Sequence, residues 1–283
     1  MKSYEVIETD RKFMHGLPIY ARIDGKNFST FTRNMKKPYD ETLSRIMQDV
    51  TKYLVEETGA AIGYTQSDEI SLCWFCESEN SESLFNGKVQ KMTSILAGMA
   101  SAKFAIEITK KMPEFLDKIP CFDARTCSTP TKDECANFFL WRENDATKNS
   151  ISMAASSFYS HKELQNKNGN EKQEMLFQKG VNFNDYPTFF KRGSYFQRKT
   201  ILRELTPGEL QNIPEKHRPA HGTLLERHII EEIAMPRLST VVNKVDVIFN
   251  KATPIIKEND ILSVPNIQKI PKLSNEPVNP PTI

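Results

Sequence analysis

Two stretches of the chain put acids where a strand gives way to a turn. The first is Arg22-Ile23-Asp24-Gly25-Lys26-Asn27-Phe28, the second Tyr64-Thr65-Gln66-Ser67-Asp68-Glu69-Ile70-Ser71. Asp24 and Asp68 stand 44 residues apart, which leaves room for one helix and a returning strand. Two carboxylates ~4 Å apart repel by roughly 4 kcal/mol at an effective dielectric of ~20, so acids gathered this way call for a cation. Mg²⁺ takes a few carboxylates together with substrate phosphates. The pairing therefore predicts metal-dependent chemistry on a nucleoside triphosphate. Asp24 and Asp68 are the expected ligands, the Gly25 carbonyl is a third, and Glu69 is an additional acid. Alone, Asp24-Gly25 reads as an ordinary turn; the second acidic stretch turns the reading toward metal. Successive strand side chains alternate between faces, so on an extended strand Asp68 and Glu69 are expected on opposite faces, with only one of them meeting Asp24 unless a hairpin turn reorients the other.

The elements that must position these acids follow from local pattern. Ile19 to Ile23 reads as a buried strand, and Gly25 permits a tight turn and close approach to a ligand. Asp40 is a cap for a helix whose face is Leu43, Ile46, Met47, Val50 and Leu54. Ile70 to Phe75 reads as a second strand. Lys88 to Lys111 reads as a long helix with Val89, Met92, Leu96, Met99 and Ile106 toward the core. Pro120 to Thr126 is a strand, Lys132 to Tyr159 a helix broken near Asn144-Asp145, and Gln165 to Gln173 a polar loop. Ser194 to Leu205 is rich in β-formers and bases. Through Thr126 the order is strand, helix, strand, strand, helix, strand, which predicts an α+β fold: an antiparallel ferredoxin-like sheet backed by helices. We divide the chain into a core over 1–130, a helical and β extension over 131–251 that completes the site, and a Pro-rich extended tail over 252–283.

Composition sets limits around this. The chain has 283 residues, 39% hydrophobic and 26% charged, with net charge +2 and pI about 8.2. That is enough for an ordinary core and does not by itself demand nucleic acid. No apolar run approaches the ~20 residues of a membrane span, and Met1 to Glu5 lacks the apolar stretch of a secretory signal. The five cysteines, unpaired by spacing, point to reduced thiols and a cytoplasmic setting. Cys73 and Cys76 form a C-x-x-C, but it lies on a strand and is read as apolar filler. The five histidines lack metal-ligand spacing and receive no catalytic role.

Taken in order, these stretches resemble the tRNA-His guanylyltransferase family and its guanylyltransferase-like relatives. The matching residues are Arg22 to Phe28, Lys37-Pro38-Tyr39-Asp40, Ser67-Asp68-Glu69, Phe122-Asp123-Ala124-Arg125, Trp141-Arg142 with Asp145 and Asn149, and Lys191-Arg192-Gly193. They span roughly residues 1–205. The resemblance implies a polymerase- and cyclase-like palm, two Mg²⁺ ions, ATP and GTP as substrates, tRNA as partner and a homotetramer. It implies activation of a 5′-monophosphorylated tRNA, then attack by the 3′-hydroxyl of an incoming nucleotide, so that growth runs 3′ to 5′. By position it makes Asp24, Asp68 and Glu69 catalytic. Asp24, Gly25 and Asp68 become metal ligands. Lys26, Asn27, Phe28, Lys37, Asp40, Ser67, Arg125, Asn149 and Lys191 fall where nucleotide or phosphate binds. One departure is informative. Where eukaryotic members carry His-Ile-Asn-Asn-Leu-Tyr-Asn, this chain has Thr147-Lys148-Asn149-Ser150-Ile151-Ser152-Met153. That resembles the guanylyltransferase-like branch and its template-directed repair of tRNA 5′ ends.

Blander assignments stand beside these. Lys37 reads equally as a solvated charge, and Arg142 as a partner of Asp145 one helical turn on. Lys191, Arg192, Arg198, Lys199 and Arg203, interleaved with Tyr195 and Phe196, read either as an RNA-contacting face or as an ordinary solvated one. Two rival functions share the same acids: a nucleotidyl cyclase acting on free triphosphate, and a non-catalytic protein that binds RNA 5′ ends.

Overall fold

The computed structural model describes residues 2–257 except 79–81, 117 and 119. The greater part of the expected tail, 258–283, lies outside the described residues. Six strands form one sheet: β1 (Ile19–Gly25), β2 (Ile62–Gln66), β3 (Glu69–Trp74), β4 (Phe122–Ser128), β5 (Ser194–Arg203) and β6 (Leu225–Ile233). Their order is β4-β1-β3-β2-β5-β6 and every pairing is antiparallel. The helices are α1 (Lys2–Thr9), α2 (Phe28–Phe31), α3 (Glu41–Thr58), α4 (Val89–Lys111), α5 (Lys132–Ser156), α6 (His161–Leu164), α7 (Gly169–Gln178), α8 (Thr188–Arg192), α9 (Pro207–Gln211) and α10 (Lys244–Asn250). The fold is α+β. Because β5 pairs with β2, the later part of the chain extends the same sheet that the first part begins. Among the described residues no helix is long and apolar enough to cross a membrane.

The sheet has two covered faces. On one, Ile19, Ala21 and Ile23 of β1, Ile70, Leu72 and Trp74 of β3, and Phe122 and Ala124 of β4 pack on α3 and α4. Asp40 starts α3 by accepting from the Thr42 and Leu43 amides, and Gly59 ends it in the left-handed region at φ 64°. The stripe of α4 is Met92, Leu96, Ala100, Phe104 and Ile108, a strict four-residue spacing. Ile106, expected in the core, sits half a turn off that stripe and is exposed. On the other face Tyr20, Ile62, Tyr64, Cys73 and Tyr195 meet Cys135, Ala136 and Phe139 of α5 and Val247 and Ile248 of α10. Cys73, buried there, is the filler its strand setting predicts.

Two expected breaks are absent. α5 runs unbroken through Asn144-Asp145, because Asp145 is held by Arg142 at 3.2 Å and Asn149 at 3.5 Å, one turn before and after. The polar loop ends at Asn168, whose side chain and that of Glu171 form a reciprocal capping box for α7.

Candidate active site

The strand register decides which acids meet. In antiparallel pairs, residues directly opposite share a face. Asp24 at the end of β1 lies opposite Glu69 of β3 on one side and Asp123 of β4 on the other. Asp68 instead occupies the two-residue turn between β2 and β3, after Ser67 in the left-handed region at φ 54°. The turn is tied to the first acidic stretch by its backbone, since the Gly25 amide donates to the Asp68 carbonyl at 3.2 Å. The hairpin turn is what overrides strand alternation here: the strand residue Glu69 shares the side of Asp24, and the turn brings Asp68 to the same cavity. Gly25 is required by packing. A Cβ there would lie 2.2 Å from the Phe28 ring.

These acids open into a cavity of about 720 Å³ lined by Arg22, Asp24, Lys37, Pro38, Gln66, Ser67, Asp68 and Glu69 from the sheet side. Arg142, Asp145, Asn149, Ser152, Met153, Ser156 and Ser157 line it from α5 and its end. Burial pushes the Asp68 carboxyl above the ordinary range and the charge of Asp24 adds to this, against hydrogen bonds from its own amide and from Ser67. Glu69 is raised by burial too, although Arg142 opposes the shift. The Arg142 guanidinium grips Glu69 with both arms, Nε to Oε1 at 2.6 Å and a terminal nitrogen to Oε2 at 2.5 Å. It also stacks over the Trp141 ring. Arg22 stands 3.8 Å from Asp24 and 3.9 Å from Glu69. Its Nε is buried and makes no hydrogen bond.

The remaining expected residues separate into groups. Lys37, Ser67 and Asn149 line the cavity with the acids. Asp40 lines a hollow of about 70 Å³ that shares Lys37, Pro38, Gln66, Ser67 and Met153 with it, while one of its oxygens caps α3. Lys26 and Asn27 are exposed just past Gly25 and outside the lining. The Phe28 ring is buried against Phe31, Phe104 and Phe122, so the side chain anchors the turn rather than offering a binding surface. Arg125 is exposed on β4 and pairs with Asp123 at 3.4 Å. Lys191 donates to the Asn184 carbonyl, away from the acids. Tyr195 and Phe196 are buried core residues, not rings free for stacking. The omissions are Ser152 and Ser156. They continue the face of Arg142, Asp145 and Asn149 on α5 at three- and four-residue spacing, a signal concealed by the expected break at Asn144-Asp145.

Known proteins are similar to this chain in sequence and fold. A family model described as tRNAHis guanylyltransferase (Thg1) matches residues 1–130. The solved structure of a bacterial tRNA(His) guanylyltransferase (Thg1)-like protein in complex with ATP aligns at 38% identity and TM-score 0.66, covering 70% of this chain and 85% of that one. The chain belongs to the tRNAHis guanylyltransferase family. It is thus an enzyme of the nucleotidyltransferase class. A bacterial family member solved in complex with GTP aligns at 32% identity and TM-score 0.65, covering 84% of this chain and 92% of that one. The probable tRNA(His) guanylyltransferase of Drosophila melanogaster is 27% identical over 209 residues, 69% of this chain and 72% of its own length. The guanylyltransferase match thus extends past the first core into α5 and the later strands, where the second wall of the cavity originates.

Proposed function

We propose that this guanylyltransferase-family enzyme adds nucleotides to the 5′ end of tRNA in the 3′-to-5′ direction, as template-directed 5′-end repair or as guanylate addition to tRNA-His, after ATP or GTP activates the 5′ phosphate. The convergence of Asp24 and Asp68 at the mouth of one cavity carries the reading. In this reading the β-α-β-β-α-β portion of the sheet serves as a polymerase-like palm, the 131–251 extension supplies the opposite wall, and the enzyme acts as a cytoplasmic homotetramer. ATP and GTP in the two bacterial relatives, and the missing His-Ile-Asn-Asn-Leu-Tyr-Asn motif, support both substrates and branch.

The donor set fits magnesium. Among the described residues no group of three or more His, Cys, Asp or Glu is gathered for a metal. Two carboxylates and the Gly25 carbonyl form a smaller set, of the kind Mg²⁺ uses when phosphates complete its shell. Burial of Asp68 beside Asp24 leaves negative charge that a cation would relieve. Asp24 and Asp68 would hold two ions, which when bound activate the attacking hydroxyl and neutralise the leaving phosphate. The chain's own residues position and balance charge. Arg22 has a free buried Nε for a phosphate oxygen. Lys37 supplies a flexible point charge, while Ser67 and Asn149 orient the nucleotide. With both oxygens engaged by Arg142, Glu69 acts by fixing the cationic wall. Lys26, Asn27, Arg125 and Lys191, outside the cavity, are assigned to RNA phosphates.

The test offers 5′-monophosphorylated tRNA, full length or lacking its first nucleotide, with each triphosphate and Mg²⁺. Sequencing should find restored 5′ ends that follow the opposing strand, or a guanylate added to tRNA-His. Cyclic product from triphosphate without tRNA, or tRNA binding without extension, would replace this reading with one of its rivals.

A further inference from the structure

Between Asp24 and Asp40 the chain carries four bases, Lys26, Arg33, Lys36 and Lys37, and no acid. This segment is not loose. Phe28, Phe31 and Met35 are buried in the main core at 4%, 5% and 7% exposure, and all four bases between and beside these anchors are exposed. Among the described residues none of the four has an ion-pair partner; Lys37 donates only to the Thr32 carbonyl at 3.4 Å. A fifth cation joins them, since Lys118 donates to the Thr30 carbonyl at 3.5 Å. The Lys26 amide bonds Cys121 at 2.8 Å, which holds the two loops side by side.

The bases within β5, by contrast, are already engaged. Lys199 pairs with Glu231 at 2.7 Å and Arg203 with Glu209 at 2.8 Å, while Arg198 donates to the Glu56 carbonyl. A charge that has a partner must give it up to bind phosphate; one that lacks a partner does not. The 26–37 segment also begins at Gly25, beside the paired acids, and ends at Lys37, on the cavity wall. A strand whose 5′ end sits in the cavity would leave across it.

We propose that residues 26–37 with Lys118 form a preformed ridge that docks the sugar-phosphate backbone of the RNA adjoining the 5′ end. This rests on the tRNA reading above. The ridge, rather than the base-rich β5 strand, then supplies the sequence-independent part of the affinity, and rigid anchoring lowers the ordering cost of each contact.

The test is equilibrium binding of 5′-monophosphorylated tRNA from 50 to 200 mM salt, without Mg²⁺ or triphosphate. The Arg33→Ala/Lys36→Ala/Lys118→Ala variant avoids the residues assigned to the nucleotide. Each phosphate contact contributes about 0.7–0.9 to the slope of log affinity on log salt, so the variant should lose about 2–3 from that slope and at least tenfold in affinity. ATP binding and melting temperature should stay as in the wild type. Lys199→Ala/Arg203→Ala should change affinity less than twofold. Wild-type slope and affinity in the triple variant would overturn the ridge, even if the enzyme extends tRNA. Ridge-dependent binding without extension would uphold the ridge and remove the catalytic reading; a wild type that neither binds nor extends tRNA would remove both.

Discussion

Replacing Arg142 by methionine removes both bonds that hold Glu69, at 2.6 and 2.5 Å, and leaves Arg22 Nε at 3.9 Å as its remaining cation. Glu69 is only 9% exposed, so water from the cavity it lines replaces the lost bonds only in part. Removing one partner of a buried pair costs about 3–5 kcal/mol, because a bare charge stays behind. Two features reduce this here: Arg22 stays close, and the Glu69 carboxyl, already raised by burial, can take a proton. We expect Arg142→Met to cost about 2–3 kcal/mol at pH 7, or roughly 3–5 °C in Tm for a chain of this size. The pH dependence has a definite sign. Without Arg142 the folded pKa of Glu69 rises further above its unfolded value, so the folded state holds the extra proton. The deficit should then be small below the ordinary glutamate range and grow as pH climbs through the folded pKa. Urea titrations from pH 5 to 8 on wild type, Arg142→Met, Glu69→Gln and the double variant give the coupling energy, expected above about 1 kcal/mol. A deficit under 0.5 kcal/mol at pH 7, or one that Glu69→Gln leaves unchanged, would refute the argument.

Asp24→Asn and Asp68→Asn should each lower nucleotide addition by at least about 10³-fold. Neither should lower the melting temperature of the metal-free protein, since neutralising either acid ends the Asp24–Asp68 repulsion; kinetics and calorimetry on the same samples check both. Gly25→Ala drives a Cβ into the Phe28 ring and should cost about 1–3 kcal/mol by overpacking, read by denaturation, with activity falling as Asp24 is displaced. Glu143, 2% exposed, accepts from Tyr195 Oη at 2.9 Å and the Leu238 amide at 2.8 Å, and burial pushes its pKa up. Its contribution is full below the unfolded glutamate pKa and declines as pH rises through the folded one. Glu143→Gln keeps an acceptor and should lose less stability than the wild type between pH 5 and 8, measured by urea midpoints.

The first four strands and the helical layer of α3 and α4 were legible because they are governed by local pattern; β6 was not read from the sequence. Asp40 before the apolar face of α3, and alternation through Ile19 to Ile23, needed no tertiary information. The acids were legible as residue types at turns. Their pairing was not, because register is a long-range property: Asp24 opposite Glu69 follows only when the two-residue turn at Ser67-Asp68 sets β2 against β3. α5 was harder still. Its polar positions look like helix breakers when taken singly, and only the bonds of Asp145 to Arg142 and Asn149 show that they stabilise the helix they seemed to end. Lys191 and Arg125 matched by type, yet neither lines the cavity: Lys191 is engaged with the Asn184 carbonyl, and Arg125, though opposite Arg22, pairs with Asp123.

The acids are not equivalent, and the geometry gives a reason. Asp68 gains charge repulsion from Asp24 without an arginine of its own, whereas Glu69, one residue on, is held by Arg142. A carboxylate whose two oxygens already bond a guanidinium makes a poor metal ligand, because coordination would forfeit two charge-assisted bonds. A carboxylate left among like charges gains most from a cation. Division of labour then follows from α5: by crossing the face of the sheet it neutralises Glu69 and leaves Asp68 without a cation and Asp24 with only the 3.8 Å contact to Arg22. If so, Arg142→Met should do more than destabilise. It should free Glu69 to compete for the ion, so Mg²⁺ affinity measured by calorimetry should rise in the variant, while turnover falls because the cationic wall is lost. Unchanged or weaker Mg²⁺ binding in a folded Arg142→Met protein would show that Glu69 is kept from the metal by geometry rather than by its partner.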